Sequence, residues 1–213
     1  MTKNMKRIHK VTVRRIEDDS PDTSWLGKYS DTPSGEFAID RHHDKDCPKF
    51  WADADVDEEF ECDCDDRTER GSYQYFNPGS VEPFKTDATW IPATVTGEKA
   101  REEYWRNAMR KNAIANYDRI EQLHNDYFSF IGITAEAEIN LMASIGVYAN
   151  SGKPVYTIQH ITSGGLWGIE SDSDAAYLKE IEDEQLSELR DQLHAIGFSQ
   201  RAITAAFRNV ERG

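Results

Sequence analysis

Three cysteines and two histidines lie in one acidic stretch of this chain, and their types suit a metal site. Cys62 and Cys64 are separated by a single residue, Cys47 lies upstream, and His42 and His43 precede Cys47. Zinc prefers thiolate and imidazole ligands, and structural zinc sites usually take four of them. We expect His43, Cys47, Cys62 and Cys64 to bind one structural zinc ion, because His43 is nearer than His42 to Cys47. Free surface thiols are the alternative, since Cys-x-Cys is less usual than Cys-x-x-Cys.

A second stretch, residues 158–174 (IQHITSGGLWGIESDSD), offers a binding site made largely of backbone. Apolar residues lead into a Gly-Gly step, then a Leu-Trp-Gly-Ile run, then residues that cap helices. This order predicts a strand, a tight turn, a buried aromatic residue and the start of a helix, whose free amides attract anions. The alternative is a strand-to-helix corner in which the tryptophan anchors the core. The residues of the expected binding site are Ser163, Gly164, Gly165, Trp167, Glu170 and Asp172.

The sequence contains no recognised catalytic signature, so we expect no catalytic residues. Neither a Gly-x-Ser-x-Gly elbow nor a phosphate-binding glycine loop occurs. The alternative is a small enzyme or ligand-binding protein that uses the Gly-Gly-Leu-Trp loop, with His160, Ser163 and Glu170 around a pocket.

The run at residues 161–174 (ITSGGLWGIESDSD) resembles one shared by a family of small, uncharacterised acidic proteins of phages, plasmids and other mobile elements. Shorter runs in the style of that family occur at residues 75–78, 130–138 and 184–189. The resemblance covers roughly residues 70–198 and brings no established activity or catalytic residue. The resemblance implies a mobile-element setting and, with it, interference with host processes as a role to consider.

Acidic charge dominates the composition, with a formal net charge of −14 over 213 residues. Residues 44–66 hold eleven acids against two lysines, and residues 170–191 hold nine acids against one lysine and one arginine. So large a negative charge repels phosphates and argues against direct nucleic-acid binding. We expect a non-enzymatic protein that binds a host protein, as a nucleic-acid mimic that inhibits a defence system of the CRISPR or restriction type. Solubility alone is the other explanation of the charge.

The expected location of the protein is inferred from patterns typical of membrane and secreted proteins, which this sequence does not show. No apolar run is long enough to cross a membrane, and no apolar segment of a secretory signal follows the basic N-terminus. We therefore expect a cytoplasmic protein without a membrane partner, and its oligomeric state stays open.

The pattern of apolar residues predicts an α+β fold, with an antiparallel sheet and helices packed on one face. One domain is expected over residues 1–213. Within it, residues 41–70 form an acidic insertion with too few apolar residues to fold by burial alone, which is a further reason to expect zinc. Strands are predicted at residues 7–16, 128–142, 147–148 and 154–161, with a turn at 150–153. Helices are predicted at residues 98–124, from 171 or 172 to 196, and at 199–210. Acidic residues, Glu182 among them, are expected on the outer face of the second of these helices.

Overall fold

The computed structural model describes residues 7–56, 60–62, 64, 73–79, 81–142 and 156–213. The chain divides into two compact units. We call residues 1–21 with 128–213 the sheet unit, and residues 22–127 the α1 unit. The elements are, in order, β1 (Arg7–Glu17), β2 (Gly27–Ser30), β3 (Ile39–Asp40), β4 (Tyr75–Pro78), α1 (Glu98–His124), β5 (Phe130–Met142), β6 (Tyr156–Thr162), β7 (Leu166–Glu170), α2 (Ala175–Ala195), α3 (Gln200–Ala206) and β8 (Glu211–Arg212).

The sheet unit is organised around β5. This strand pairs antiparallel with β1, β6 and β7, and β1 pairs parallel with β8 on its other side. Apolar and polar residues alternate along β5, so Ile133 and Ala137 are fully buried on one face while Glu136 and Glu138 lie on the other. Since β6 and β7 pair with successive parts of β5, they form one strand that is interrupted at residues 163–165.

Helices α2 and α3 bury the apolar face of this sheet. Leucines at four-residue spacing along α2, such as Leu189 and Leu193, are fully buried in one cluster with Val11 and Val13 of β1 and Ile203 of α3. Each buried leucine contributes on the order of 1.5–3 kcal/mol relative to an exposed one. The predicted α+β fold, with helices on one face of a largely antiparallel sheet, is confirmed.

The α1 unit packs a long helix against a small sheet in the order β2-β4-β3. Its core is rich in aromatic rings. Phe76 of β4 lies 5.4 Å from the ring of Tyr117 in α1, and Phe37 lies 5.4 Å from the ring of Trp105. Phe50, which belongs to the predicted acidic insertion, is only 1% exposed in the same cluster. The insertion is therefore anchored by an apolar residue as well as by its polar contacts.

Helix α2 begins later than predicted, at Ala175 rather than at residue 171 or 172. Asp174 is its N-cap, because the carboxylate accepts hydrogen bonds from the N–H groups of Ala176 and Tyr177. The backbone N–H of Ser171 instead donates to the carbonyl of Ser129 at 2.8 Å, which continues the pairing of β7 with the start of β5.

Two further comparisons with the sequence complete the fold. Glu182, expected on the outer face of α2, is only 4% exposed, and its carboxylate accepts hydrogen bonds from Arg15 and Arg212.

The predicted strand at residues 147–148 and the turn at 150–153 lie outside the described residues. Among the described residues, none of the helices has the length and apolar character needed to cross a bilayer.

Candidate metal centre

The four side chains predicted to bind a metal come together in the α1 unit. The ligand atoms of His43, Cys47, Cys62 and Cys64 all lie within 4.8 Å of one another. His43 Nδ1 is 3.4 Å from Cys62 Sγ and 3.7 Å from Cys47 Sγ. Three sulfur atoms and one nitrogen at these separations could hold a metal ion.

Tight turns after β3 position the first two of these ligands. The backbone N–H of His43 donates to the carbonyl of Asp40 at 3.3 Å, and that of Cys47 donates to the carbonyl of Asp44 at 2.8 Å. Cys47 then begins a 3₁₀ turn, Pro48–Phe50, whose last residue lies in the aromatic core. The folded core of the unit therefore fixes where His43 and Cys47 stand.

The structure places His43, and not His42, beside the three cysteines. His43 belongs to the cluster, whereas His42 Nδ1 lies 4.0 Å from a carboxylate oxygen of Asp40. The backbone N–H of His42 also donates to that carboxylate, at 3.0 Å. His42 is thus tied to the end of β3, and its neighbour is turned toward the cysteines.

Electrostatic coupling among the thiols also favours a cation. A hydrogen bond from the backbone N–H of Cys64 lowers the pKa of the Cys62 thiol. The Asp44 N–H donates to Cys64 Sγ at 3.4 Å and acts in the same direction, but burial and the neighbouring Cys47 and Cys62 raise the pKa of Cys64 to about 11. Three thiols this close resist ionising together, because each thiolate repels the next. A bound cation removes that repulsion.

Comparison with known proteins assigns this chain to no family. No protein-family model matches it, and neither a curated protein nor a solved structure matches it. The resemblance of residues 161–174 to a mobile-element family therefore stays a prediction.

A polar cleft of about 970 Å³ borders the group formed by His43 and the three cysteines, with His43 in its wall. Arg41, only 6% exposed, binds Glu121 of α1 at 3.1 Å, and the hydroxyl of Tyr29 donates to the same carboxylate at 2.5 Å. Burial, followed by the hydrogen bond to Glu121, raises the pKa of Tyr29 above its ordinary value. Sequence reasoning missed this network, because Arg41 and Glu121 are separated by 80 positions and share no local motif.

The amides of the Gly-Gly step face α2. Ser163 bridges the gap between β6 and β7: its N–H donates to the carbonyl of Ala135, and its hydroxyl accepts from the N–H of Ala135. The N–H of Gly164 donates to Glu188 at 2.9 Å, and that of Gly165 donates to Gln185 at 3.0 Å. These amides therefore meet the middle of the helix, not its N-terminus as expected.

Trp167 is 49% exposed, so the prediction of a buried aromatic residue is wrong. Its ring covers Gly132, where a Cβ on the glycine would lie 2.2 Å from the ring. Because Gly132 has no side chain, the indole ring can lie directly against the backbone at this position. Glu170 continues β7 opposite Phe130, and Asp172 lies exposed in the turn before α2.

The residues of the alternative enzyme site lie in different surroundings. Ser163 is buried and bonded to the backbone of β5, whereas the ring of His160 is exposed beside Glu136. The binding role of the Gly-Gly-Leu-Trp loop stays a prediction.

Proposed function

We propose that this chain is a non-enzymatic binding protein in which a structural zinc ion holds the segment around residues 43–64, and that the acidic outer face of α2 binds a basic protein partner. The single observation that carries the first part is the convergence of three thiols and one imidazole at one point. A tetrahedral zinc ion, with Zn–S of about 2.3 Å and Zn–N of about 2.0 Å, separates its ligand atoms by about 3.5–3.8 Å. The distances of 3.4 and 3.7 Å from His43 Nδ1 to two sulfurs fit that geometry.

The composition of the cluster favours a structural role over a catalytic one. Catalytic zinc keeps one coordination position for water or substrate, usually beside three protein ligands. Here four protein side chains are available, which is enough to complete a tetrahedral shell. A zinc ion bound by all four has no position left for chemistry, and its effect is to hold the polypeptide together.

The acidic face of α2 supports the second part of the proposal. Glu180, Glu184 and Asp191 are exposed on this helix, and Asp183 is exposed beside its partner Lys179. At about 1.5 Å per residue, Glu184 lies about 6 Å from Glu180 along the helix axis and Asp191 about 10.5 Å further, while each DNA strand carries one phosphate per about 3.4 Å of axis. A partner that binds nucleic acid through a basic groove would meet a row of negative charge that is more widely spaced than the phosphates of DNA.

The partner class follows from this row of charge and from the resemblance of residues 161–174. Basic grooves are typical of proteins that bind nucleic acids. In a mobile-element setting, such a partner would be a host defence protein, and binding by this chain would inhibit it. Glu182, Asp174 and Glu188 contribute less to the face, since each accepts hydrogen bonds within the sheet unit.

Metal content tests the first part. Protein purified without chelator is expected to hold one equivalent of zinc by elemental analysis, and the Cys64→Ser variant much less. His42→Ala is the matched control, because that ring lies next to the cluster without belonging to it. Less than about half an equivalent in the wild type, unchanged by Cys64→Ser, would contradict the zinc site.

Charge reversal on α2 tests the second part. Immobilised protein is exposed to host lysate, and captured proteins are identified by mass spectrometry. We expect capture of a nucleic-acid-binding protein that weakens at about 0.3 M salt and is lost in the triple variant Glu180→Lys, Glu184→Lys, Asp191→Lys. The matched control reverses three exposed acids of the α1 unit, Glu82, Asp87 and Glu103. Equal loss in both triple variants, or capture that survives the α2 changes, would refute the assignment to this face.

A further inference from the structure

Among the described residues, one edge of β1 is only partly paired with another strand. On that side β8 pairs with β1 at Thr12 and Val13, and Gly213 extends the contact to Arg15. From Arg7 to Val11, the opposite edge of β1 pairs with β5, but no strand among the described residues pairs with the edge on the β8 side. Unpaired edge amides and carbonyls form a template for one more strand.

A groove runs along the same edge of β1. It has a volume of about 470 Å³ and lies between the first half of β1 and helix α3. Ala202, Ala205 and Ala206 form its helical side, and Asn209 and Glu211 also line it. Because alanine side chains are short, the helix leaves room for the alternate side chains of an added strand. Strand-addition sites commonly combine an open sheet edge with pockets for alternate side chains.

The strand side of the groove is basic, in a chain whose net charge is −14. Arg7, His9 and Lys10 line the groove and are exposed. Lys10 is paired with Glu211 at 2.5 Å, which leaves Arg7 as the cationic group that an incoming segment would meet. The charge therefore favours an acidic occupant.

We propose that this groove binds an extended acidic peptide of a partner protein, which adds to the edge of β1 at Arg7–Val11. Backbone hydrogen bonds to the strand hold the peptide, small side chains face the alanines of α3, and a carboxylate on an alternate position meets Arg7. This surface is distinct from the acidic face of α2 and selects for the opposite charge, so it adds a second binding activity to the proposed function.

Fluorescence anisotropy with a defined probe tests the proposal. The probe is a fluorescein-labelled hexapeptide that alternates glutamate and valine and has uncharged ends. We expect binding in the micromolar range, at least about tenfold weaker for Ala205→Trp, which fills the groove, and for Arg7→Glu. Arg201→Glu, an equal charge change at an exposed position of α3 outside the groove, is expected to bind as the wild type does. Arg7 lies at the exposed start of β1, so its variant gives a result even if Ala205→Trp fails to fold.

Two further probes separate strand addition from simple charge attraction. Two versions of the peptide, one N-methylated at the valines and one at the glutamates, each lack the donors on one edge, and the version whose methyl groups face β1 is expected to bind at least about tenfold more weakly. A single-stranded oligonucleotide of equal charge is expected not to displace the peptide. Absence of binding at about 1 mM peptide, unchanged binding of both N-methylated peptides, or full displacement by the oligonucleotide would each overturn the proposal.

Discussion

The sheet unit and the α1 unit bury their cores with different types of side chain. In the sheet unit, long strands present aliphatic side chains to two helices, and the backbone is largely satisfied by regular pairing. In the α1 unit, aromatic rings line one helix, and the strands are only two to four residues long. Long irregular connections lose more conformational entropy for each backbone hydrogen bond they form. The α1 unit therefore depends more on specific cross-links, of which the metal cluster is the strongest candidate.

Loss of the metal is expected to produce the largest difference in stability between the two units. Zinc removal by a chelator, or the substitution Cys64→Ser, should lower the free energy of unfolding of the α1 unit by about 4 kcal/mol. A ligand whose free concentration is about 1,000 times its Kd stabilises the folded state by that amount. Hydrogen exchange followed by mass spectrometry should show faster exchange in residues 41–56, while β5 and α2 keep their protection.

The matched control for this experiment is His42→Ala, which should leave exchange in residues 41–56 unchanged. If the chelator accelerated exchange equally in both units, the metal would not distinguish them. If it changed nothing in residues 41–56, the cross-link would contribute no stability to the α1 unit.

Truncation of one buried side chain in each unit is expected to give the next largest effect. Leu189→Ala in α2 and Phe76→Ala in β4 each remove a side chain that is fully buried. Cavities of this kind cost about 2–5 kcal/mol for leucine and about 3–5 kcal/mol for phenylalanine. Regional hydrogen exchange should place the loss from Leu189→Ala in the sheet unit and the loss from Phe76→Ala in the α1 unit. If either truncation accelerated exchange equally throughout, the two cores would behave as one cooperative structure.

The parts of the fold predicted from sequence are those with a local signal. The two-residue alternation in β5 and the four-residue leucine spacing in α2 identify their elements and buried faces. The grouping of His43 with the three cysteines follows from the types of these residues alone. Glu182 was misplaced because of its charge, although it stands four residues from both Leu178 and Leu186 and so lies on the buried stripe. The position of Trp167 could not be predicted from a local pattern, because its contact with Gly132 depends on the register between β7 and β5.

Glu182 tests whether the sheet unit also relies on a polar cross-link. Its carboxylate joins Arg15 of β1 at 2.8 Å and Arg212 of β8 at 3.1 Å, and its side chain is 5% exposed. Glu182→Ala should lower the free energy of unfolding by about 2–3 kcal/mol, less than for a fully buried pair because both arginines remain solvated. Urea unfolding measures the change. Glu180→Ala, on the exposed side of α2, is the control and should change stability by less than about 0.5 kcal/mol. Similar effects of the two substitutions would show that the cross-link adds little.

Tyr29 tests the buried polar network of the α1 unit, where the smallest effect is expected. Its hydroxyl donates to Glu121, and Tyr29→Phe should cost about 1 kcal/mol at neutral pH, since Glu121 keeps Arg41 as a partner. The pKa of Tyr29 is raised in the folded state, so this stabilisation is complete below pH about 10, where tyrosine ionises in the unfolded chain, and falls as pH rises further. The difference in unfolding free energy between wild type and Tyr29→Phe should therefore shrink above pH 10, by up to about 1.4 kcal/mol per pH unit.

Urea unfolding of both proteins between pH 7 and 11 measures this difference, and subtracting one protein from the other cancels the titration of the remaining tyrosines and lysines. The matched control is Tyr127→Phe, because the side chain of Tyr127 is 77% exposed and should give no difference at any pH. A difference for Tyr29→Phe that stayed constant up to pH 11 would mean that the hydroxyl ionises as readily in the folded protein as in the unfolded chain. The bond to Glu121 would then be a surface contact, and the α1 unit would have to rely on its aromatic core and its metal cluster.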